Sequence, residues 1–127
     1  MTSQNIKTWE DIVKMDNRYH QLIDDIIRSG YSSLWDSKVI NKIIATLKIS
    51  KIIEFGYEGM PTEENWRNDL NEGLGIYTIV WDPTEKFFYI HYETNYKSFL
   101  SFDSDDLAEE FMSYESNRKL LEQYYMI

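Results

Sequence analysis

His20 and His91 are the only histidines of this sequence, and a general base or a metal site built on imidazole would need one of them. Glu93 follows His91 by two residues in a stretch of aromatic and β-branched residues. Because side chains alternate along a strand, the imidazole and the carboxylate would share one face, where a carboxylate can orient the ring for general acid–base catalysis. A chain with 22 acids also forms such pairs by chance, so a small enzyme using His91 and Glu93 is only an alternative prediction.

The other candidate motifs for catalysis or metal binding are absent or incomplete. The sequence contains no G-x-S-x-G nucleophile motif. Gly73-Leu74-Gly75 lacks the longer pattern of a phosphate-binding loop. The spacing of Asp103, Asp105 and Asp106 is that of calcium ligands, but the glycine and the terminal glutamate of an EF-hand loop are missing. We therefore predict that the protein is not an enzyme and that it uses no metal or cofactor.

The length and composition predict a single domain over residues 1–127. The chain is 43% hydrophobic and 16% aromatic, which suffices for a core, and it contains no cysteine, which excludes a disulfide-stabilised secreted scaffold. The N-terminal residues lack the apolar segment of a secretory signal, and no apolar run reaches the length of a membrane span. The sequence therefore predicts a cytoplasmic protein, and its many Ile, Asn, Lys and Tyr residues suggest a bacterial or phage source.

The net charge of −9 is concentrated in two clusters. Residues 54–72 contain six acids and one base, and residues 103–110 contain five acids and no base. A chain with this charge is repelled by nucleic acid and by anionic membranes, but it attracts a basic protein. In the second cluster, Asp105, Asp106 and Glu109 would fall in the first turns of a helix, where the helix dipole favours acids.

In the first cluster, acids alternate with aromatic residues, and the helix dipole does not account for most of the acids. Aromatic anchors surrounded by charge are typical of protein-binding hot spots. We predict a partner-binding surface formed by Glu54, Tyr57, Glu58, Glu63, Glu64, Trp66, Asp69 and Glu72. The alternative is a solvated surface helix with Trp66 in the core. If the surface binds a partner, reversing the charge of Glu58, Glu63 and Asp69 should slow association.

Residues 76–92 predict a β-hairpin, which is the centre of the fold. Asp82-Pro83-Thr84-Glu85 has the chemistry of a type I turn, and the residues on both sides of it are mainly β-branched or aromatic. Neither face of the hairpin is cleanly polar, as one face of a half-exposed antiparallel sheet would be. The second face must therefore be covered, either by the chain's own helices, by a subunit or by a partner.

The remaining patterns predict an α+β fold, with two N-terminal helices, a small antiparallel meander of about three to four strands and a C-terminal helix. Thr8, Ser33 and Ser104 are the predicted helix caps. The predicted elements are a helix from Trp9 to Ser29 ended by Gly30, a helix to about Lys48, a strand at 51–57, a short helix or loop from Glu63 to Glu72, the hairpin, a strand at 96–102 and a helix from Asp105 to Tyr125. A continued helix is the alternative at 51–57.

The segment NYKSFLSFDSDDLAEEFMSY follows the hairpin and leads from a strand into an acidic helix. Residues 76–114 resemble the corresponding ending of bacterial polymorphic-toxin immunity proteins. The resemblance implies a cognate toxin as the partner, without indicating which toxin, and no family residue is carried over.

Together these observations predict a small acidic inhibitor of a basic protein. The main hypothesis is an immunity protein that neutralises a toxin, for example a nuclease, through direct protein–protein contact and without binding nucleic acid or a membrane. A phage-type DNA mimic that inhibits a defence nuclease is an alternative of the same kind, although the basic N-terminal half argues against it. A structural or adaptor domain is a further alternative. The sequence specifies neither the partner nor the oligomeric state.

Overall fold

The fold is α+β, as predicted. In the computed structural model, residues 5–31, 36–57, 76–94 and 99–127 are described, and they contain five helices and a three-stranded antiparallel sheet. The elements are α1 (Trp9–Met15), α2 (Arg18–Tyr31), α3 (Ser37–Gly56), β1 (Ile76–Asp82), β2 (Phe87–Glu93), β3 (Ser101–Phe102), α4 (Asp105–Ser113) and α5 (Glu115–Tyr124). The predicted helix at Glu63–Glu72 and the predicted cap Ser33 lie outside the described residues.

The first predicted helix is two helices. The capping box at Thr8 is confirmed, since the Asp11 backbone N–H donates to the Thr8 hydroxyl and the Thr8 N–H donates to the Asp11 carboxylate. The helix then ends at Asp16, whose backbone is extended and whose carboxylate accepts from the Arg18 N–H at 3.0 Å. Asp and Asn side chains compete for backbone hydrogen bonds, so Asp16-Asn17 breaks the apolar pattern that runs across it.

The predicted strand at residues 51–57 is wrong, because α3 continues to Gly56. Its buried residues include Ile49, Ile52, Ile53 and Gly56, a spacing of three and four that forms one helical face. Packing of that face against the core outweighs the weak preference of β-branched residues for strands. Asp36 caps the start of α3 by accepting from the Lys38 N–H at 2.7 Å.

The sheet is antiparallel but is not a meander. Its order is β2-β1-β3, so the third strand pairs with β1 and not with β2. The described part of the predicted strand at 96–102 contributes only Ser101–Phe102. The turn chemistry predicted for Asp82 is confirmed: its carboxylate accepts from the Thr84 N–H at 2.9 Å and from the Glu85 N–H at 3.1 Å.

The predicted C-terminal helix is also two helices, separated at Tyr114, whose backbone is extended. Ser104 caps α4 as predicted, accepting from the Leu107 N–H at 3.2 Å. Side chains of α5 satisfy the carbonyl groups at the end of α4: the Asn117 amide donates to the Phe111 oxygen at 3.1 Å, and Arg118 donates to the Met112 oxygen at 2.7 Å. Two backbone carbonyl groups at the break therefore have hydrogen-bond donors.

The core lies between α3, the C-terminal helices and the inner face of the sheet. Its fully buried side chains include Ile49, Ile52 and Ile53 of α3, Ile79 of β1, Phe111 of α4 and Leu121 of α5. This packing holds one face of β1 and β2 against the helices.

Candidate partner-binding surface

Strand β2 forms one edge of the described sheet. It pairs with β1 over seven residues, in a register that sets Ile79 opposite Ile90 and Trp81 opposite Phe88. Among the described residues, no strand pairs with its other side. Soluble proteins commonly protect such an edge with Lys, Pro or a bulge, yet the sequence from Phe87 to Glu93 contains neither Lys nor Pro.

Three aromatic side chains of β2 are exposed. Phe87 is 47% exposed and Tyr89 is 38% exposed, and alternation places both on the face opposite the core. Tyr92, 46% exposed, lies on the other face of the strand, where its ring is 5.1 Å from the Tyr77 ring. We call the outer side of β2 and these three rings the aromatic edge. The second face is therefore covered only in part: Ile76 is buried, but the two rings near the turn are not.

The aromatic edge is held in place by the residues between its exposed rings. Phe88 and Ile90 pack against the core, and the Phe88 ring lies 4.9 Å from the Trp81 ring and 6.1 Å from the Tyr125 ring. The Tyr125 hydroxyl donates to the backbone oxygen of Ile79 at 2.5 Å. The C-terminal end of the chain therefore anchors the hairpin, and the exposed rings are presented from a fixed strand rather than from a loop.

An acidic cluster lies at the Tyr92 end of the sheet. The register places Phe102, Tyr77 and Tyr92 in one row across the three strands, and α4 follows directly after Phe102. The exposed acids of this segment are Asp103, Asp105, Asp106 and Glu109, which we call the α4 acidic cluster. Within the described residues none of the four forms a salt bridge, whereas Glu110 pairs with Lys7 at 2.7 Å.

The predicted partner-binding residues are only partly described. Glu54 is exposed and pairs with Lys51 at 2.9 Å. Tyr57 is 1% exposed, and its ring packs against Phe102 and Phe111, so its assignment as a surface contact is wrong. The helical continuation of α3 turns Tyr57 inward, and burial raises the pKa of its phenol. The other predicted residues, Glu58, Glu63, Glu64, Trp66, Asp69 and Glu72, lie outside the described residues.

The sequence did not single out Phe87, Tyr89 and Tyr92 as exposed rings, although the signal was present. The hairpin had two apolar faces and needed a cover for the second one. Which strand would lie at the edge depended on the position of β3, and strand order is not encoded in the local pattern. The structure moves the described part of the candidate surface from residues 54–57 to the aromatic edge.

His91 and Glu93 lie together on β2, as strand alternation predicts. The His91 Nε2 and the Glu93 Oε2 are 3.4 Å apart, with the imidazole exposed and the carboxylate largely buried. Such a pair can transfer a proton, but its imidazole is 46% exposed on the sheet face opposite the core. Among the described residues no group of three potential ligands is arranged to hold a metal ion. The geometry is more typical of a contact surface than of an enclosed reaction site.

A second apolar surface lies on α3. A groove of about 430 Å³ is lined by Val39, Lys42, Ile43, Thr46, Leu47 and Ser50. Val39 and Ile43 are exposed, and the Lys42 ammonium group lies 5.0 Å from the centre of the Tyr124 ring. Because Lys42 makes the edge of this groove positive, the groove does not complement a basic partner as the α4 acidic cluster does.

No protein-family model, curated protein or solved structure matches the chain. Among the described helices, none combines the length and the apolar character that a transmembrane segment requires.

Proposed function

We propose that this protein binds a basic protein and inhibits it. The observation that carries the proposal is the α4 acidic cluster, which consists of four exposed carboxylates without a salt bridge among the described residues. It follows β3 at the Tyr92 end of the sheet, on the opposite side of β1 from β2. A binding protein needs charge that attracts its partner and apolar groups that hold it, and this chain exposes both.

The carboxylates supply long-range attraction. Because Asp105 and Asp106 have no salt bridge among the described residues, a partner's Lys or Arg can form charge-assisted hydrogen bonds with them. The net charge of −9 extends the attraction beyond the contact area. Complementary charge mainly accelerates association and selects the partner, whereas the rings of Phe87, Tyr89 and Tyr92 would slow dissociation.

The partner we propose is a toxin, with this chain as its cytoplasmic immunity protein. The resemblance to polymorphic-toxin immunity proteins covers residues 76–114, which include both the aromatic edge and the α4 acidic cluster. A nuclease toxin is the best physical fit, because an active site that binds the phosphates of nucleic acid is itself basic. An acidic inhibitor at such a site competes directly with the substrate.

The proposal is tested by affinity capture from a lysate of the source organism at low salt, followed by purification of the retained protein and an assay of its activity. The test variant is D103N/D105N/D106N/E109Q. The matched control is E10Q/D25N/E115Q/E122Q, which neutralises the same number of exposed acids elsewhere. We expect the wild type and the control to retain one basic protein, to release it in high salt and to block its activity when added back.

The test variant should retain little of that protein. Capture of no basic protein, or a captured protein whose activity is unchanged by this chain, would contradict the proposal. Equal retention by the test variant and the wild type would remove the α4 acidic cluster from the interface. Circular dichroism and thermal unfolding of the variants confirm that each remains folded.

A further inference from the structure

We propose that the groove on α3 is a second docking surface, which binds an acidic amphipathic helix of another protein. The described residues that line the groove all belong to α3, and none belongs to the sheet or to α4. The inference therefore goes beyond the proposed function and does not rest on it. It follows from the shape of the groove, its apolar floor and the charge along its rim.

The groove runs along one face of α3 for about three helical turns. Its described lining residues follow one another at helical spacing, and they are Val39, Lys42, Ile43, Thr46, Leu47 and Ser50. At 1.5 Å per residue, the distance from the first of them to the last is about 16 Å. A helix bound in such a groove makes contacts at the same spacing of three and four residues, so the groove matches about three turns of a ligand helix.

The floor of the groove is apolar, although two of its residues carry hydroxyl groups. Val39 and Ile43 are exposed apolar residues. The Thr46 hydroxyl donates to the Lys42 backbone oxygen at 2.7 Å, and the Ser50 hydroxyl donates to another backbone oxygen of α3 at 2.8 Å. Because both hydroxyl groups are bonded within the helix, the floor offers mainly apolar surface to a ligand, and we expect the bound helix to place apolar side chains there.

Positive charge lies along one side of the groove. From residue 37 to residue 53, α3 contains four lysines and no acid, in a chain whose net charge is −9. Lys38 and Lys42 are exposed and four residues apart, so they are neighbours on the helix surface. Neither forms a salt bridge among the described residues. The Lys42 ammonium group lies 5.0 Å from the centre of the Tyr124 ring, a contact that holds it at the rim.

The acids at the two ends of this run of lysines are already bonded. Asp36 accepts from the Lys38 backbone N–H at 2.7 Å as the helix cap, and Glu54 pairs with Lys51 at 2.9 Å. A partner's carboxylates beside Lys42 would gain charge-assisted hydrogen bonds, whereas carboxylates at the other end of the groove would approach Glu54. The bound helix should therefore carry its acids at the end that lies beside Lys38 and Lys42.

An anionic membrane and a second copy of this chain are weaker occupants of the groove. Insertion into lipid needs apolar side chains that project from the surface, whereas here they lie in a groove, and a net charge of −9 repels anionic lipid. In a two-fold pair of copies the same patch of each chain meets, so a concave surface would face a concave surface. Charge and shape therefore favour an acidic helix from another protein.

The test uses two synthetic helical peptides, so that it does not depend on isolating the partner. Both carry Leu at helical spacing on one face; the first carries Glu beside the Leu residues at one end, and the second carries Lys at the same positions. NMR of the isotope-labelled chain at low salt follows the methyl groups of Val39, Ile43 and Thr46 while each peptide is added. We expect the Glu peptide to shift these signals to saturation and the Lys peptide to leave them unchanged. No saturable shift with the Glu peptide, or equal shifts with both peptides, would overturn the proposal.

Three variants test the groove itself. Lys42→Glu reverses the charge at the rim and should weaken binding of the Glu peptide at least about tenfold, whereas the same reversal at the hairpin turn, Lys86→Glu, should change binding less than about twofold. Ile43→Ser removes an apolar contact and should weaken binding about tenfold at high salt as well as at low salt, because salt screens charge but not apolar contact. Circular dichroism and thermal unfolding confirm that each variant is folded. Equal weakening by Lys42→Glu and Lys86→Glu would show that only net charge acts and would contradict a site on α3.

The other occupants would give different results, and either of them would overturn the acidic helix. Shifts of the Val39 and Ile43 methyl groups that grow with protein concentration and without peptide would assign the groove to a second copy. Binding of the wild type, but not of Ile43→Ser, to vesicles of phosphatidylcholine and phosphatidylglycerol would assign it to lipid. The result is also separate from the proposed function: D103N/D105N/D106N/E109Q should bind the Glu peptide at least as tightly as the wild type, because the α4 acidic cluster is not part of the groove.

Discussion

The carbonyl oxygen of Ile6 occupies the space that a side chain on Gly56 would need. Neighbouring contacts hold the same segment. The Lys7 ammonium group donates to the Gly56 oxygen at 3.4 Å and pairs with Glu110 at 2.7 Å, and the Asn117 amide donates to the Lys7 oxygen at 2.8 Å. Residues 6 and 7 therefore connect the end of α3 to α4 and α5, and Ile6 is part of the core.

Gly56→Ala should destabilise the protein by about 2–4 kcal/mol, because the added methyl group meets backbone rather than a movable side chain. The direction of this change in the free energy of unfolding is informative, because replacing Gly by Ala in a helix ordinarily stabilises by about 0.5–1 kcal/mol. Urea unfolding followed by circular dichroism gives the free energy of unfolding. Asn41→Ala, at an exposed position of the same helix, is the control and should stabilise slightly. A stabilised Gly56→Ala would show that the segment at Ile6 moves away freely.

Asn117→Ala should destabilise the protein by about 2–3 kcal/mol, because it leaves the buried carbonyl groups of Lys7 and Phe111 without their donor. Asn117 is fully buried, and its amide joins the N-terminal segment to the break between α4 and α5. Ser116→Ala, at the exposed neighbouring position, should change stability by less than about 0.5 kcal/mol. Equal effects of the two substitutions would contradict a bridging role for Asn117.

How far the fold follows from the sequence depends on the range of the interaction. Thr8, Asp82 and Ser104 act on backbone groups two or three residues away, so their turn and caps are predictable from local sequence. The continuation of α3 through Ile52 and Ile53 depends on the core that buries them, and short apolar runs do not distinguish a buried strand from a buried helix. The position of β3 beside β1 involves residues far apart in sequence and carries no local signal.

The same distinction applies to the candidate surface. The acids Asp105, Asp106 and Glu109 were recognisable as part of the first turns of a helix, which the structure confirms. Tyr57 is buried because α3 continues to Gly56 and turns the following residue inward. The strand predicted at residues 51–57 was wrong, and for that reason the surface position predicted for Tyr57 was wrong as well. The exposure of Phe87 and Tyr89 became visible only once β2 was known to lie at the edge of the described sheet.

Tyr57→Phe should leave the protein as stable as the wild type or more stable by about 1 kcal/mol, because the buried Tyr57 hydroxyl has no hydrogen-bond partner among the described residues. Thermal and urea unfolding measure the difference. Tyr57→Ala is the comparison and should cost about 3–5 kcal/mol through the cavity it leaves. A clear loss of stability in Tyr57→Phe would show that the hydroxyl has a partner, for example an internal water. Partner binding should be unaffected by Tyr57→Phe, since the ring is in the core.

The Tyr57 phenol should also make the stability of the protein depend on pH in the alkaline range. Burial raises the pKa of Tyr57 in the folded protein, whereas in the unfolded chain the phenol ionises near pH 10. The unfolded state therefore releases this proton first, and stability should fall as the pH rises above about 10. Tyr57→Phe removes this contribution, so its stability should fall less steeply than that of the wild type over the same range. Parallel curves would indicate that Tyr57 ionises normally in the folded state.

Asp11→Asn should reduce stability at neutral pH but not in acid. Burial opposes ionisation of Asp11, but hydrogen bonds from the Lys7 and Thr8 backbone N–H groups and from the Thr8 hydroxyl outweigh it and lower the pKa of the carboxyl group. A lowered pKa contributes stability that is present above the unfolded value of about 3.9 and is lost as the pH falls through the folded value.

Urea unfolding of the wild type and Asp11→Asn from pH 7 to pH 2.5 tests this expectation. The gap between the two free energies of unfolding should close toward the acid end. Asp25→Asn, at an exposed position of α2, is the control for the loss of one surface carboxylate. A gap that stays constant would mean that the Asp11 hydrogen bonds, and not its charge, account for its contribution.

The two acidic clusters make separate predictions about the rate of association. D103N/D105N/D106N/E109Q should slow association with the captured partner by about tenfold at low salt, while dissociation changes by less than about twofold, because exposed charges act mainly before contact. Stopped-flow mixing at several salt concentrations measures both rates, and the difference should shrink as the Debye length falls toward a few Å. The control variant E10Q/D25N/E115Q/E122Q removes the same charge from other surfaces and should slow association less. Changing Glu58, Glu63 and Asp69 to Lys tests the acidic cluster at residues 54–72 by the same measurement of association and dissociation rates. A change confined to dissociation would mean that the α4 carboxylates are buried in the complex as close ion pairs, and the steering argument would then be wrong.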